Sequence, residues 1–365
     1  LMTEYWIPKN INFLWAMGVV LVVLFKILII SGNFLLMYYK PDIKLAFDSV
    51  NYTIMQEVEY GWLWRHMHGV AASVIFLVIY IHMFTGIYYG SYKKGREIIW
   101  LTGMALFGIF SAEAFSGYML PWGQMSYWAA QVITNLFGGI PVIGEALVVW
   151  IRGDYLVADA TLTRFFMLHV LLLPLAIILL IAIHFYSLRI PHVNNQEAEE
   201  FDFDKEAKKY LEGRKKESKV VPFWPVFLSK DFFVVGVALT GFFYLVCYHF
   251  NFAMDPINFE PANNMKTPAH IYPEWYFLWS YEVLRGFFFD VAGIAAMDIG
   301  LAAFGFANVI FMLLPFLDLN PNHVAPAHKR PLFKYWFWLL VIDMIVLTVY
   351  GKLPPTGANA WVGFF

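Results

Sequence analysis

Charged residues and cysteine are scarce in this sequence of 365 residues. Asp, Glu, Lys and Arg make up 14% of it, against about a quarter of an average soluble domain. The one cysteine, Cys247, excludes an internal disulfide, a cysteine-ligated iron–sulfur cluster and a CxxCH haem attachment. Its apolar surroundings predict a packing role. The net charge of −2 gives no reason to expect nucleic acid as a partner.

Apolar residues make up 60% of the chain and cluster in long runs. Seven of these runs are long enough for membrane helices, which need about 20 mostly apolar residues to cross a bilayer. We name them spans A to G: Leu14–Tyr38, Met67–Tyr89, Ile98–Leu120, Arg164–Leu188, Phe232–Phe252, Val291–Leu317 and Tyr335–Tyr350. The sequence therefore predicts an all-α membrane protein.

One charged segment divides the spans into two groups. Residues 190–221 contain seven basic and eight acidic residues, and we interpret them as a solvated connector with some helix. We expect a four-span unit at residues 1–189, a linker at 190–231 and a three-span unit at 232–365. Two long loops, 121–161 and 253–290, lie on the other side of the membrane. Their apolar stretches, such as Trp122–Leu136, predict helices that lie in the interface.

Lys and Arg are distributed unequally between the two sides of the membrane. If the N-terminus lies on side one, that side carries 16 of them and side two carries 8, while Lys26 lies inside span A. The positive-inside rule then places side one in the cytoplasm or its equivalent. We therefore expect a bacterial inner-membrane protein with a cytoplasmic N-terminus.

Four histidines follow a regular pattern in spans B and D. His68 and His82 are 14 residues apart in span B, and His169 and His184 are 15 apart in span D. Fourteen residues are close to four helical turns, so the two histidines of span B share a face and lie about 21 Å apart. The extra residue in span D requires a bulge or local unwinding, which Pro174 between its histidines permits.

Antiparallel packing of spans B and D sorts these histidines into two layers. His68 and His169 form the side-two layer, and His82 and His184 form the side-one layer. A single histidine in a membrane helix is commonly hydrogen-bonded into the bundle, but unpaired polar groups in lipid are costly, and two matched layers favour ligands. Bis-imidazole ligation of two stacked haems fits four histidines. Structural zinc fits poorly because each layer offers only two ligands.

Glycines repeat the same interval in the neighbouring spans. Gly18 and Gly32 in span A, and Gly103 and Gly117 in span C, are each 14 residues apart. The topology puts Gly18 and Gly103 in the side-one layer and the other two in the side-two layer. Singly they would be helix-packing residues, but together they predict close approach of a flat macrocycle to the backbone.

Two arginines lie at the level of the side-two layer. Arg65 and Arg164 precede His68 and His169 by three and five residues. Each is placed to form a charge-assisted pair with a haem propionate, and each alone is equally compatible with an ordinary interfacial arginine.

These residues, together with several loop motifs, resemble cytochrome b of the quinol:cytochrome c oxidoreductase (cytochrome bc) complex. The resemblance extends from about Phe13 to about Pro355. The motifs that carry it are Tyr60-Gly61-Trp62, Tyr88-Tyr89-Gly90-Ser91-Tyr92, Pro121-Trp122-Gly123-Gln124, Ala160-Thr161-Leu162-Thr163-Arg164-Phe165-Phe166, Thr267-Pro268-Ala269-His270-Ile271, Lys230-Asp231 and Pro273-Glu274-Trp275-Tyr276.

The resemblance implies a four-helix bundle that holds two stacked b haems, followed by three further helices. An eighth helix is expected after Gly351 and is absent or incomplete in this sequence. The low-potential haem would be ligated in the side-two layer and the high-potential haem in the side-one layer.

By the same resemblance, quinol would be oxidised at side two. One electron would pass to a Rieske iron–sulfur protein and a membrane-anchored c-type cytochrome, and the other would cross the membrane to reduce a quinone at side one. The family also implies a homodimeric complex in contact with lipid.

The resemblance also assigns roles to individual residues. Glu274 would take protons from quinol, and Tyr118 and Tyr276 would line the same cavity. Asp231 would act at the second quinone site. Two positions depart from the family pattern: Arg189 stands where respiratory members commonly have a histidine, which resembles the photosynthetic branch, and Thr85 stands where the family often has an arginine. The fused seven-span chain nevertheless follows the respiratory rather than the photosynthetic branch.

Two other functions fit parts of the pattern. A dihaem membrane anchor of a dehydrogenase or hydrogenase explains the histidines but not the glycines or the Glu274 motif. A transporter or channel would use Lys26, Glu113, Asp298 and Asp343 as a charge pathway but leaves both histidine layers unexplained. Lys26 and Glu113 lie at similar depths, but helical phase turns Lys26 outward, which favours separate polar partners over a direct ion pair.

Overall fold

The computed structural model describes residues 5–93, 95–251, 254–287, 289–291, 293–319, 325–354 and 362. Seven of its helices are long and apolar enough to cross a membrane, which confirms the predicted spans. Spans A to G are Phe13–Leu36, Gly61–Tyr88, Glu97–Met119, Asp159–Arg189, Phe223–Tyr248, Ala296–Leu317 and Pro331–Gly351. Phe252 and Pro355, predicted boundaries at the ends of span E and of the family resemblance, lie outside the described residues.

Spans B, D and E begin earlier than the hydropathy predicts. Span B starts at Gly61, span D at Asp159 and span E at Phe223. The added turns of spans B and D carry polar residues such as Arg65 and Asp159, and in span E the polar residues 229–231 separate the first turns from the main apolar run. Hydropathy marks only the lipid-facing part of a helix, so it misses these turns.

The spans pack as two antiparallel pairs, A against B and C against D. Span E covers spans A and B, and span F contacts span C. A core of buried apolar residues, including Val70, Phe76, Ile177 and Phe242, extends from the four-span unit into span E. The core therefore joins the two groups of spans.

Span D contains a π-helical turn at Leu168–Leu172, shortly before Pro174. A π turn closes hydrogen bonds one residue further along the chain than an α turn, so it accommodates one extra residue. The predicted bulge in span D is therefore confirmed, and it restores the phase between His169 and His184.

The N-terminal segment and the linker form a small sheet on side one. Strand β1 (Trp6–Pro8) pairs antiparallel with strand β2 (Val220–Pro222). Before span E begins, the linker forms the helix Phe203–Leu211, which is capped by the Asp202 side chain. Strands of three residues are too short for an alternating pattern, so the sequence did not reveal them.

The side-two loop between spans C and D contains two helices, Gln124–Leu136 and Gly144–Arg152. The first confirms that the stretch Trp122–Leu136 forms a helix. Arg152 is buried and donates hydrogen bonds to the side chains of Thr134 and Asn135, which ties the two helices together. The prediction that Cys247 packs in the core is wrong, because its side chain is exposed on the outer surface of span E.

A buried ionic cluster joins the loops after spans B and F on side one. The Asp318 carboxylate lies 3.0 Å from Lys93 Nζ and 2.6 Å from an Arg330 nitrogen, and it accepts a 2.6 Å hydrogen bond from the Tyr92 hydroxyl. Burial alone would raise the pKa of Asp318, but these three hydrogen bonds hold it below its usual value. The cluster therefore connects the two groups of spans through charge as well as apolar contact.

We expect Asp318→Asn to lower the free energy of unfolding by about 3–5 kcal/mol, because it removes the negative charge that two buried cations share. The control is Glu197→Gln, which removes the exposed ion pair with Lys329 and should have little effect. Thermal unfolding of the purified complex in detergent, followed by tryptophan fluorescence, measures both. Equal destabilisation by the two variants would contradict the assignment.

Candidate functional site

The histidines of spans B and D lie opposite each other in two layers. The ring centroids of His68 and His169 are 6.1 Å apart, and those of His82 and His184 are 6.4 Å apart. A metal ion takes an imidazole nitrogen at about 2 Å, so two imidazoles on opposite sides of one ion have centroids about 6 Å apart. Each layer therefore has the spacing of a two-histidine metal site.

Hydroxyl groups fix the tautomer of two of these histidines. His68 Nδ1 lies 3.0 Å from Ser31 Oγ, which donates its own proton to the Ile27 carbonyl at 2.7 Å. Ser31 must therefore accept, so Nδ1 carries the proton and Nε2 keeps its lone pair. Thr102 does the same for His184 at 3.0 Å and donates to its own helix at 2.8 Å. An unprotonated Nε2 is the form that binds a metal.

His169 has a different partner. Its Nδ1 lies 3.0 Å from the backbone carbonyl of Glu113 and 3.1 Å from Glu113 Oε1. A backbone carbonyl can only accept a hydrogen bond, so Nδ1 carries the proton. Nε2 therefore again keeps its lone pair. Among the ion pairs of the described residues none joins Lys26 to Glu113, and Lys26 is exposed.

The four predicted glycines each lie against one histidine ring. A Cβ atom would lie 3.7 Å from His82 Cε1 at Gly18, 3.2 Å from His68 Cε1 at Gly32 and 3.3 Å from His184 Cε1 at Gly103. At Gly117 the distance to His169 Cε1 would be only 2.4 Å. Spans A and C thus come close to spans B and D at the level of the rings.

A cavity lies at the level of the side-two layer. It is bordered by both histidines of that layer, and by Gly32, Arg65, Glu113, Gly117, Tyr118, Glu274 and Tyr276. Arg65 therefore lies where a propionate contact was predicted. Arg164 does not border the cavity: it is exposed and donates to the Trp150 carbonyl. Each arginine was predicted to pair with a propionate of the side-two haem, and of the two only Arg65 borders this cavity.

The loop after span E is held against span B. Trp275 donates to the Ser73 hydroxyl at 2.6 Å, and the Tyr80 hydroxyl donates to the Tyr276 carbonyl at 2.5 Å. The Tyr276 ring stacks on Phe76 with centroids 4.1 Å apart. These contacts fix Glu274 between the histidine cavity and a second cavity of about 330 Å³.

The second cavity is lined by apolar residues and a few ionisable groups. The latter are Tyr118, Asp255, Tyr272, Glu274 and Lys352. Burial and the neighbouring Asp255 carboxylate raise the pKa of Glu274 to about 8. A hydrogen bond with Tyr118 and the positive charge of Lys352 act in the opposite direction. Glu274 can therefore exchange a proton near neutral pH.

Two comparisons of sequence agree with this geometry. The model of the family "Cytochrome b/b6/petB" matches residues 2–191, and that of "Cytochrome b(C-terminal)/b6/petD" matches residues 261–365. Cytochrome b of Rhodobacter capsulatus is 42% identical over 97% of this chain and 81% of the relative. Cytochrome b of Cereibacter sphaeroides is 41% identical over 97% of this chain and 80% of the relative.

The chain belongs to the cytochrome b family. It is also similar to a solved structure named "Hyperthermophilic respiratory Complex III", with a TM-score of 0.89, 41% identity and coverage of 100% of this chain and 90% of that chain. It is thus an integral membrane subunit of a quinol:cytochrome c oxidoreductase, and family membership implies that it binds haem b. The dihaem anchor of another enzyme and the transporter are both excluded.

The geometry fits the haem that cytochrome b requires. The facing rings leave room for one metal ion per layer, and the glycines keep the helix surfaces beside them free of side chains. In the part of the chain that the structure describes, no group of three or more His, Cys, Asp or Glu side chains forms another metal site.

The second predicted quinone residue lies on side one. Asp231 is 1% exposed, and its Oδ1 atom is buried without a hydrogen-bond partner among the described residues. Its neighbour Lys230 is exposed. The geometry therefore favours Asp231 over Lys230 as a residue that a buried ligand could contact.

Several site residues were not predicted from the sequence. Ser31 and Thr102, which orient His68 and His184, each directly precede a predicted glycine. A hydroxyl residue directly before a glycine of a layer was the sequence pattern that could have predicted these two residues. Asp255 had no comparable signal, because only folding brings its loop to Glu274.

We expect Gly117→Ala to lower the b-type haem content, because the added methyl group would lie 2.4 Å from His169 Cε1 and displace the ring. Gly108→Ala, in the same span but outside both layers, is the control, since its methyl group would meet no heavy atom within 4 Å. Reduced-minus-oxidised spectra normalised to protein measure the content. Equal loss in both variants would contradict the steric argument.

Proposed function

We propose that His68 and His169 ligate a low-potential haem b, and that His82 and His184 ligate a high-potential haem b. The observation that carries this proposal is the pairing of rings 6.1 and 6.4 Å apart, three of them with Nδ1 held by acceptors. When bound, the two haems supply one-electron carriers across the membrane. Gly18, Gly32, Gly103 and Gly117 would make room for the rings, and Arg65 would pair with a propionate.

Side two is the proposed site of quinol oxidation. A quinol head group in the second cavity would meet the Glu274 carboxylate, which would accept a hydroxyl proton. Tyr118 would orient that carboxylate through their hydrogen bond, while Tyr276 would hold the loop against span B. Glu274 also borders the histidine cavity, so proton acceptance and electron transfer would occur at adjoining surfaces. The aromatic side chains of Tyr118, Tyr272 and Trp275 form part of the wall of this cavity.

Side one is the proposed site of quinone reduction. The buried carboxyl group of Asp231 would bind a quinone oxygen and supply a proton to it. The linker at residues 190–231 and the N-terminus would face the cytoplasm of a bacterium, as the distribution of basic residues favours. Residues 1–189 would then form the haem-binding unit and residues 232–365 would complete the quinol site.

Complex III membership implies partner subunits. We propose that electrons leave the quinol site through a Rieske iron–sulfur protein and a membrane-anchored c-type cytochrome. The complex is proposed to be a homodimer in the inner membrane. Spans D and G leave most of their surfaces uncovered by this chain, as lipid or partner contacts would require.

The ligand assignment is tested with His169→Leu. We expect this variant to lose the low-potential b-type signal while the high-potential signal persists, because each layer holds its own pair of ligands. His249→Leu, which changes an exposed histidine at the end of span E, is the control and should retain both signals. Low-temperature difference spectra resolve the two haems. Retention of both haems in His169→Leu would overturn the assignment.

The proton step is tested with Glu274→Gln. A carboxyl group with a pKa of about 8 is mostly protonated at pH 7 and accepts a proton only when ionised, so quinol oxidation should rise with pH up to about this value. The glutamine variant should be slower and should lack this rise, with both haems present. Turnover of wild type and variant between pH 6 and 9, under saturating quinol, measures the effect. Identical pH profiles would show that another group accepts the proton.

A further inference from the structure

Glu113 is a carboxyl group in the middle of a membrane helix. It lies in span C, and its side chain is 17% exposed. A charge at such a depth is costly unless it has a partner. Lys26, at a similar depth, is exposed on the outer face of span A and is not that partner. Glu113 is therefore held inside the bundle by another interaction.

That interaction is with His169. Glu113 presents two acceptors to His169 Nδ1, its backbone carbonyl at 3.0 Å and its Oε1 atom at 3.1 Å. The carbonyl also accepts a hydrogen bond from the Ser116 hydroxyl at 2.9 Å, so it is not available to His169 alone. The carboxylate oxygen is thus positioned as an additional acceptor for the Nδ1 proton.

Within the described part of the chain, the other three histidines of the two layers have no such partner. His68 and His184 donate to the neutral hydroxyl oxygens of Ser31 and Thr102. Among the described residues, no acidic side chain forms an ion pair with His68, His82 or His184. One ring in the side-two layer is therefore bonded to a carboxylate, and no ring in the side-one layer is.

We propose that Glu113 is a positioning residue that lowers the reduction potential of the side-two haem through His169. This inference rests on the proposed ligation of that haem by His169. A carboxylate that accepts the Nδ1 proton makes Nε2 a stronger electron donor. Stronger donation and the nearby negative charge both stabilise ferric over ferrous iron.

The effect is directional because only one layer carries it. A lower potential in the side-two layer favours electron transfer toward the side-one layer, which is the direction that the proposed function requires. The hydrogen bonds of Ser31 and Thr102 orient their histidines but add no charge. Glu113 would therefore set part of the potential difference between two otherwise similar sites.

The test is Glu113→Gln, which keeps the length and an acceptor oxygen but removes the charge. In potentiometric titrations of the purified complex, we expect the ferric-to-ferrous stability ratio of the side-two haem to fall about tenfold, an upward shift of about 59 mV for one electron. The side-one haem should not shift. Asp343→Asn, which removes an exposed carboxylate from span G, is the control and should shift neither haem.

Two outcomes would overturn the inference: an unchanged side-two potential, or equal shifts of both haems in Glu113→Gln. If that variant loses haem, redox difference infrared spectra of unsubstituted protein with isotope-labelled glutamate replace it. A carboxylate band that responds to reduction of the side-two haem is expected, and its absence would contradict the inference.

His169→Leu separates the two proposals, because retention of both haems in that variant refutes the ligation itself. Loss of one haem there, without a shift in Glu113→Gln, refutes only the role of Glu113.

Discussion

The hydrogen bonds to the Nδ1 atoms of the histidines are the constraint on which the bundle depends. A histidine inside a membrane has no water to satisfy it, so a neighbouring helix must supply the acceptor. Span A supplies Ser31 to His68, and span C supplies Thr102 to His184 and Glu113 to His169. This requirement pairs A with B and C with D. The glycines follow from it, because a helix close enough to bond an imidazole has no room for a side chain beside the ring.

Register along span D is the second consequence of these layers. Two layers in a straight span B are separated by 14 residues, whereas span D uses 15. The π turn at Leu168–Leu172 accommodates the extra residue, and this turn includes His169. The two histidines of span D therefore lie at the same two levels as those of span B, although their spacing in the sequence differs by one residue. The irregular turn lies at the proposed ligand His169, in keeping with the tendency of π turns to occur at functional sites.

Much of this architecture could be predicted from the sequence because membranes simplify the problem. Length and hydropathy located seven spans, and fixed intervals between histidines and glycines sorted four of them into layers. Contacts made by loops were less accessible. Arg164 turns to the Trp150 carbonyl rather than to the cavity, and Asp255 meets Glu274 only because two loops fold together on side two. Cys247 was misjudged because an apolar environment in a membrane protein includes the lipid-facing surface as well as the core.

The two intramembrane charges show how the same cost is met in different ways. Lys26 has a long side chain on the outer face of span A, so its ammonium group can extend toward the interface. The shorter Glu113 side chain lies inside the bundle and has to find its partner there. That partner is a proposed haem ligand, so satisfying the carboxyl group also changes the electron density on the ring. A charge that contacts a metal ligand affects the electron density at the bound metal. A charge that reaches the surface need not affect it. The position of Glu113 therefore makes the two histidine layers chemically unequal, although their ring spacings differ by only a few tenths of an ångström.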